Sequence, residues 1–246
     1  MKHRRIKAGE TGFSPVEMLV GVAISLLLLL GLGQVVLHQH RTLRMQEELG
    51  RMEDAGRFAL FAMARSIRQA GFHPGASTDE SAPYPADGSF QEGAFIGMGE
   101  AALPSRSTLA LRYHGLRDGT QVNCLGVDVK AQGLQVEQWN WSQAALQCST
   151  ANNTQPLVPS VEDLQFALGI DQDGDGNVDA TALAEAVDRW TRIASVHIYL
   201  RLVSQEDGLS DAPQAFQDAQ GQSVLPKDRR LRRTFRTTVS LRQPLP

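Results

Sequence analysis

The residues best suited to chemistry form a short acidic segment in the second half of the chain. Residues 171–179 read Asp-Gln-Asp-Gly-Asp-Gly-Asn-Val-Asp, with carboxylates at positions 1, 3, 5 and 9 and glycine at position 6. This spacing matches the first nine residues of an EF-hand-like calcium loop, in which alternating oxygens surround one hard cation. The predicted ligands are Asp171, Asp173, Asp175, the backbone carbonyl of Asn177, and Asp179.

The rest of this segment departs from an EF-hand. Position 12 is Ala182, where an EF-hand has a bidentate glutamate, and Glu185 comes three residues late. A strand pattern, not a helix pattern, precedes the loop. Two interpretations therefore stay open: a freestanding calcium loop of weak affinity, or an acidic turn between two elements.

The two cysteines of the chain, Cys124 and Cys148, lie in a region with strand-like alternation. The pair is compatible with one disulfide if the domain faces an oxidising compartment, and with two buried thiols otherwise. A bond would close a loop of about 25 residues and contribute roughly 3 kcal/mol in the chain-entropy model. The choice depends on which side of a membrane this region occupies.

A basic segment, Lys227–Arg236, carries six Lys and Arg residues, although the net charge of the chain is only −3. Such a segment can contact nucleic-acid phosphates or acidic lipid headgroups. It more often forms the solvated edge of a strand, where cations oppose edge-to-edge pairing, and this is the role we expect. The histidines form no HExxH pattern, and no Ser/His/Asp or Cys/His arrangement has recognisable spacing, so we predict no catalytic role.

The element that must position all of these residues begins with an apolar run. Residues 18–37 contain only two polar side chains, Ser25 and Gln34, and neither is charged. Twenty helical residues span about 30 Å, the thickness of a bilayer core. Four basic residues precede this run: Lys2, Arg4, Arg5 and Lys7. The positive-inside rule therefore places the N-terminus in the cytoplasm and the chain beyond the run across the membrane. Glu17 stands at the mouth of the run, where a carboxylate is costly and therefore indicates a function.

The residues around Glu17 carry a family resemblance. Gly12-Phe13-Ser14-Pro15-Val16-Glu17, followed by MLVGVAISLLLLL, resembles the signal of type IV prepilins and type II secretion pseudopilins. The resemblance implies that a prepilin peptidase cuts between Gly12 and Phe13 and methylates the new amine of Phe13. It also implies that Glu17 docks the subunit by pairing with the N-terminal amine of a neighbouring subunit. Such a pair fixes register more than it adds stability, because both charges lose water.

The remaining sequence predicts an α+β fold, with a long N-terminal helix packed on an antiparallel β-sheet head. The predicted organisation is a basic leader over 1–12, a membrane or filament-core helix over 13–37, an amphipathic continuation over 38–70 and a β-rich head over 71–246. The predicted helix runs over 14–70 and ends near Gly71. Strands are predicted at Ala94–Ile96, Thr108–Tyr113, Thr120–Val129, Leu134–Trp141, Leu164–Ile170, Ile193–Val203 and Thr234–Leu241.

Three segments narrow the resemblance to minor pilins of the PilW type: residues 53–72, 161–179 and 232–243. It implies a low-abundance subunit of the type IV pilus, located first in the inner membrane and later in the filament at the cell surface. Its implied partners are the prepilin peptidase, other minor and major pilins, and inner-membrane lipid. Two alternatives stay open: a type II secretion pseudopilin of the J kind, and a tip adhesin or DNA-binding pilin that uses the acidic loop or the basic segment.

Overall fold

The computed structural model describes residues 14–74, 84–99, 107–116, 120–129 and 133–241. One long helix, α1, spans Pro15–Gln69 and is followed by antiparallel strands, which confirms the predicted α+β class. The strands are β1 Ile96–Gly97, β2 Thr108–Gly115, β3 Gly133–Ser142, β4 Ala145–Thr150, β5 Thr154–Pro159, β6 Val161–Ile170, β7 Ala180–Leu183, β8 Ile193–Val203, β9 Phe216–Gln217, β10 Ser223–Val224 and β11 Arg232–Ser240.

Both ends of α1 follow from local chemistry. The carbonyl of Ser14 accepts hydrogen bonds from the backbone N–H groups of Glu17 and Met18, at 3.0 and 3.2 Å. Pro15 occupies the first helical position, where its missing N–H costs nothing. At the other end Gly71 has φ +77°, the left-handed conformation that stops a helix.

The chain divides into two compact units, Met1–Glu47 and Glu48–Pro246. The first unit contains the apolar half of α1. The second, which we call the head, contains the rest of α1 and all the strands. Within the head, one stripe of α1 is buried: Met52, Ala59, Met63 and Ile67 recur every four to seven residues and are each at most 4% exposed. This stripe supplies the helical side of the hydrophobic core.

The strands of the head form two main sheets and one small hairpin. The first sheet has the order β1-β2-β3-β4-β5, and the second has the order β11-β8-β6-β7. The hairpin pairs β9 with β10. In the second sheet, Val196, Ile198 and Leu200 of β8 point into the core, while the alternate residues form the opposite face. Phe235 of β11 lies on the core side, so close to Gly56 that a Cβ at that position would be only 2.2 Å from its ring.

The strand prediction for Thr120–Val129 is wrong. This segment forms turns with a single antiparallel bridge between Val122 and Asp128. The side chain of Asn123 accepts backbone N–H groups of Leu125 and Val127, both at 3.0 Å, which closes a tight turn. Gly126 then adopts φ +75°, a conformation that a strand residue does not take.

Candidate functional site

The first unit displays an unusually apolar helical surface. Residues 14–34 are all exposed. The five consecutive leucines at 26–30 have exposed fractions of 56% to 69%. Among the described residues, α1 is the helix that is both long enough and apolar enough to cross a membrane. Its most apolar 18-residue window has a mean hydropathy of 2.5 and is 0% buried. A surface of this kind requires lipid or another protein to cover it.

Glu17 lies in the first turn of this surface and is exposed. An acidic side chain in a first turn interacts favourably with the positive end of the helix dipole. Gly12 and Phe13, the predicted processing residues, lie outside the described residues, as does the basic leader. The docking role of Glu17 stays a prediction.

In the head, a buried carboxylate joins the helix to the first sheet. Glu137 of β3 is 1% exposed. Its oxygens accept hydrogen bonds from the Ser66 hydroxyl at 2.6 Å, the Tyr113 hydroxyl at 2.7 Å and the Cys124 N–H at 3.0 Å. One side chain therefore ties together α1, β2 and the segment that carries the disulfide.

The electrostatics of Glu137 are dominated by burial. Loss of water raises the pKa of its carboxyl, and the three hydrogen bonds and the nearby Arg65 guanidinium lower that pKa without cancelling the effect of burial. The pKa of the Tyr113 hydroxyl is also raised, first by burial and then by the neighbouring Glu137. The proton is therefore held more tightly in this cluster than in water.

Cys124 and Cys148 are joined in a disulfide, which decides between the two states that the sequence left open. The bond links the 120–129 turn segment to β4. The same segment is held to α1, because the Arg65 guanidinium donates to the carbonyls of Val122 and Asn123 at 3.1 and 2.8 Å. The disulfide and α1 therefore fix the same turn from two sides.

The acidic loop follows β6 and leads into β7. Ligand oxygens of Asp171, Asp173 and Asp179 lie within 4.8 Å of one another. Asp171 is buried and accepts the N–H groups of Gly174 and Gly176 at 2.6 and 3.0 Å. Both glycines have positive φ, +87° and +88°, so the loop depends on them for its shape.

Asp175 is not part of this carboxylate group. It is fully exposed, and its carboxylate accepts both the side-chain amide and the backbone N–H of Asn177, which lowers its pKa. The structure therefore brings together three of the four predicted carboxylates. Those three offer hard oxygen ligands of the kind that calcium prefers. Calcium binding itself stays a prediction.

The basic segment forms the end of a loop and the start of β11, an edge strand of the second sheet. Its central Arg232 is 7% exposed and pairs with Glu162 at 2.8 Å and Asp228 at 2.7 Å. Burial raises the pKa of Glu162, but hydrogen bonds from Arg232 and Arg201 lower it overall. Hydrogen bonding to Arg232 lowers the pKa of Asp228 to about 2. Arg232 therefore serves an internal ion-pair network and is not presented to a phosphate.

The sequence interpretation missed the Glu137 cluster, although a signal for it existed. Glu137 is in phase with Trp139 on a strand whose side chains alternate, and both are at most 1% exposed. A carboxylate in phase with a tryptophan indicates a buried charge that needs partners. The partners themselves, Ser66 and Tyr113, are 71 and 24 residues away and could not be read from spacing.

Comparison with known proteins identifies the group of proteins that this head resembles. Residues 127–243 match the model of the family described as PilW, Type IV Pilus-assembly protein W. A type IV-like pilin from Thermus thermophilus is similar in structure, with a TM-score of 0.49, 14% identity, and coverage of 78% of this chain and 97% of that chain. No curated protein matches the chain. The resemblance predicted from 161–179 and 232–243 is confirmed, because both segments lie in the matched range. The third segment of that prediction, 53–72, lies outside the matched range.

Proposed function

From its confirmed resemblance to the PilW family of type IV pilus assembly, we propose that this chain is a minor pilin with a structural, non-catalytic role. The observation that carries the proposal is the match of residues 127–243, nearly half of the chain, to that family. The exposed apolar half of α1 supports it, because a pilin must exchange a lipid environment for a protein one. Its role is to take part in priming the pilus or in forming its tip complex.

Processing by the prepilin peptidase is the first step of this proposal. The peptidase removes residues 1–12 by cutting after Gly12, and Phe13 becomes the methylated first residue. The support is the sequence: a basic leader, Gly-Phe, and an acid five residues into the mature chain ahead of the apolar run. Before processing, the chain sits once across the inner membrane with its N-terminus in the cytoplasm.

Docking through Glu17 is the second step. In lipid a lone carboxylate is costly, and the amine of a neighbouring subunit offers an opposite charge at the same depth. Removal of one partner of a buried pair leaves the other unpaired, which costs about 3–5 kcal/mol. The pair therefore selects one axial register between subunits. Other minor and major pilins are the proposed partners.

The test uses three variants of the full chain in a strain that forms pili. Gly12→Ala is expected to remain unprocessed and to abolish its own incorporation into pili. Glu17→Ala is expected to be processed normally yet to reduce incorporation strongly. Glu47→Ala, an exposed acid on the same helix beyond the apolar run, is the matched control and should behave like the wild type. Normal processing and normal pili with Gly12→Ala would contradict the proposal.

The same strain separates the two alternatives. A type II secretion pseudopilin of the J kind would lose protein secretion on deletion and keep its pili. A tip adhesin or DNA-binding pilin would keep assembled pili and lose adhesion or DNA uptake. Loss of surface pili on deletion, with secretion intact, is the result expected of a minor pilin.

A further inference from the structure

The outer face of the second sheet contains a polar groove that the proposed function does not involve. Cross-strand pairs place Gln165, Tyr199 and Arg236 in one row of this face, because Tyr199 lies opposite both of the others. His197 and Thr238 form the next row. The groove has a volume of about 410 Å³, within the range of small-molecule sites. The β9–β10 hairpin and the residues around Gln220 border it.

The permanent charge in the lining of this groove is that of Arg236. Its lining contains an arginine and a histidine and no carboxylate among the described residues. Two acids close in sequence to lining residues, Asp163 and Asp218, are already engaged. Asp163 accepts the Gln165 side-chain amide at 3.0 Å and lies 3.6 Å from Arg201. Asp218 accepts the backbone N–H groups of Gln220 and Gln222 at 3.0 and 2.8 Å. An anion in the groove would therefore meet positive charge without a competing carboxylate in the lining.

His197 and Arg236 are both held in place with hydrogen-bonding capacity to spare. Nδ1 of His197 lies 2.8 Å from the Thr238 hydroxyl, while Nε2 is buried and has no partner in the described part of the chain. The Arg236 guanidinium lies 5.1 Å from the centre of the Tyr199 ring and donates one bond, at 2.8 Å, to the Asp218 carbonyl. A buried nitrogen without a partner is costly unless a ligand supplies one.

The other lining groups define what accompanies the anion. Side-chain amides of Gln165 and Gln220 bond to each other at 3.2 Å and can each make further bonds to hydroxyls. Ala167 and Leu183 give the groove a small apolar surface. A ligand with a carboxylate, several hydroxyls and one C–H face matches this combination, and a single sugar ring fits within the groove.

We propose that this groove binds a monosaccharide acid of the uronic type. The carboxylate pairs with Arg236 and accepts a bond from Nε2 of His197, and the amides and Thr238 orient the ring hydroxyls. Arginine is suited to this role because its planar fork matches a carboxylate. The inference goes beyond pilus assembly and gives the head a ligand of its own.

The test measures binding to the full chain in detergent micelles by saturation-transfer NMR and calorimetry. The probes are galacturonate and glucuronate, with galactose as the neutral control and acetate as the control for the carboxylate alone. At least one uronate should bind. Galactose, which lacks the carboxylate, and acetate, which lacks the sugar ring, should each bind at least about tenfold more weakly. Arg236→Gln should weaken uronate binding about tenfold or more. Arg233→Gln, the same charge change on the other face of β11, should leave it unchanged.

Three results would overturn the proposal. The first is no binding of either uronate to the wild-type chain. The second is equal loss with Arg233→Gln and Arg236→Gln, which would indicate a general charge effect. The third is acetate bound as tightly as the uronate, which would reduce the groove to an anion site. His197→Gln gives a second check, because it should weaken the uronate and spare the thermal unfolding of the head.

Discussion

The two halves of α1 have the same secondary structure and opposite surroundings. In the first, Leu28 is 64% exposed within an apolar run; in the second, Ile67 is 0% exposed on a stripe that recurs every three or four residues. The first half has no polar face, and the second has one. Apolar content alone therefore does not define a core. A helix that is apolar all round is made for lipid or for other subunits, whereas a striped one packs on its own head.

The largest expected effect separates these two halves directly. Ile67→Ala should lower the free energy of unfolding of the head by about 2–5 kcal/mol, because it leaves a cavity in a packed core. Leu28→Ala should leave that free energy unchanged. All three tryptophans lie in the head, so their fluorescence in a urea titration reports that unit alone. An equal loss in both variants would break the comparison.

The disulfide gives the next largest effect. Replacing Cys124 and Cys148 together by serine should cost the head roughly 3 kcal/mol, because the unfolded chain regains the freedom of a closed loop. The predicted membrane-spanning half of α1 should be unaffected. The check is the urea midpoint of the double variant, with the wild type under reducing conditions as a second measurement. Unchanged stability in both would show that the disulfide does not stabilise the head.

Glu137→Gln tests the junction between α1 and the first sheet, because it should change how the free energy of unfolding of the head depends on pH. The pKa of Glu137 is raised in the folded chain, so its contribution to stability is greatest below the usual carboxyl pKa and falls as pH rises through the folded value. The stability of the wild type relative to the glutamine variant should therefore decline from pH 4 to pH 8. The decline is about 1.4 kcal/mol for each unit by which the pKa is raised. A difference that does not change with pH, measured by parallel urea titrations, would contradict the raised pKa.

Calcium should have the smallest effect. If the acidic loop binds with a millimolar dissociation constant, a few millimolar calcium would stabilise the head by about 1 kcal/mol. Asp171→Asn should abolish that increment, and Asp188→Asn, an exposed acid outside the loop, should preserve it. The measurement is the midpoint of thermal unfolding with and without calcium. No shift in the wild type would leave the loop as an acidic turn.

Sequence patterns predicted the helix and the long strands because their periodicity is local. The alternation in 193–203 and the stripe in α1 each need only neighbours a few residues away. The strands Ala145–Thr150 and Thr154–Pro159 were missed because they contain few β-branched or aromatic residues. Pro156 and Pro159 are tolerated there since β5 lies at an edge of its sheet. Pairing with β3 and β4 across the sheet, not propensity, makes these segments strands.

The candidate sites also divide into those formed by residues close in sequence and those formed by residues far apart in sequence. The acidic loop could be predicted because its carboxylates lie within nine consecutive residues. The disulfide could be anticipated because the chain contains only two cysteines. The Glu137 cluster and the polar groove draw on side chains from several strands, from α1 and from the hairpin region, so no window of sequence contains them. Arg232 shows the opposite case, because an apparent surface charge in the basic segment is committed to an internal ion-pair network.

The most direct test of the central claim is the mass of the mature N-terminal peptide. The chain is isolated from membranes of a strain with an active prepilin peptidase and digested, and the first peptide is measured. A minor pilin should begin at Phe13 with a methylated amine and should begin at Met1 in a peptidase-deficient strain. A chain that keeps residues 1–12 in the active strain, or that is cut beyond the apolar run, would contradict the account.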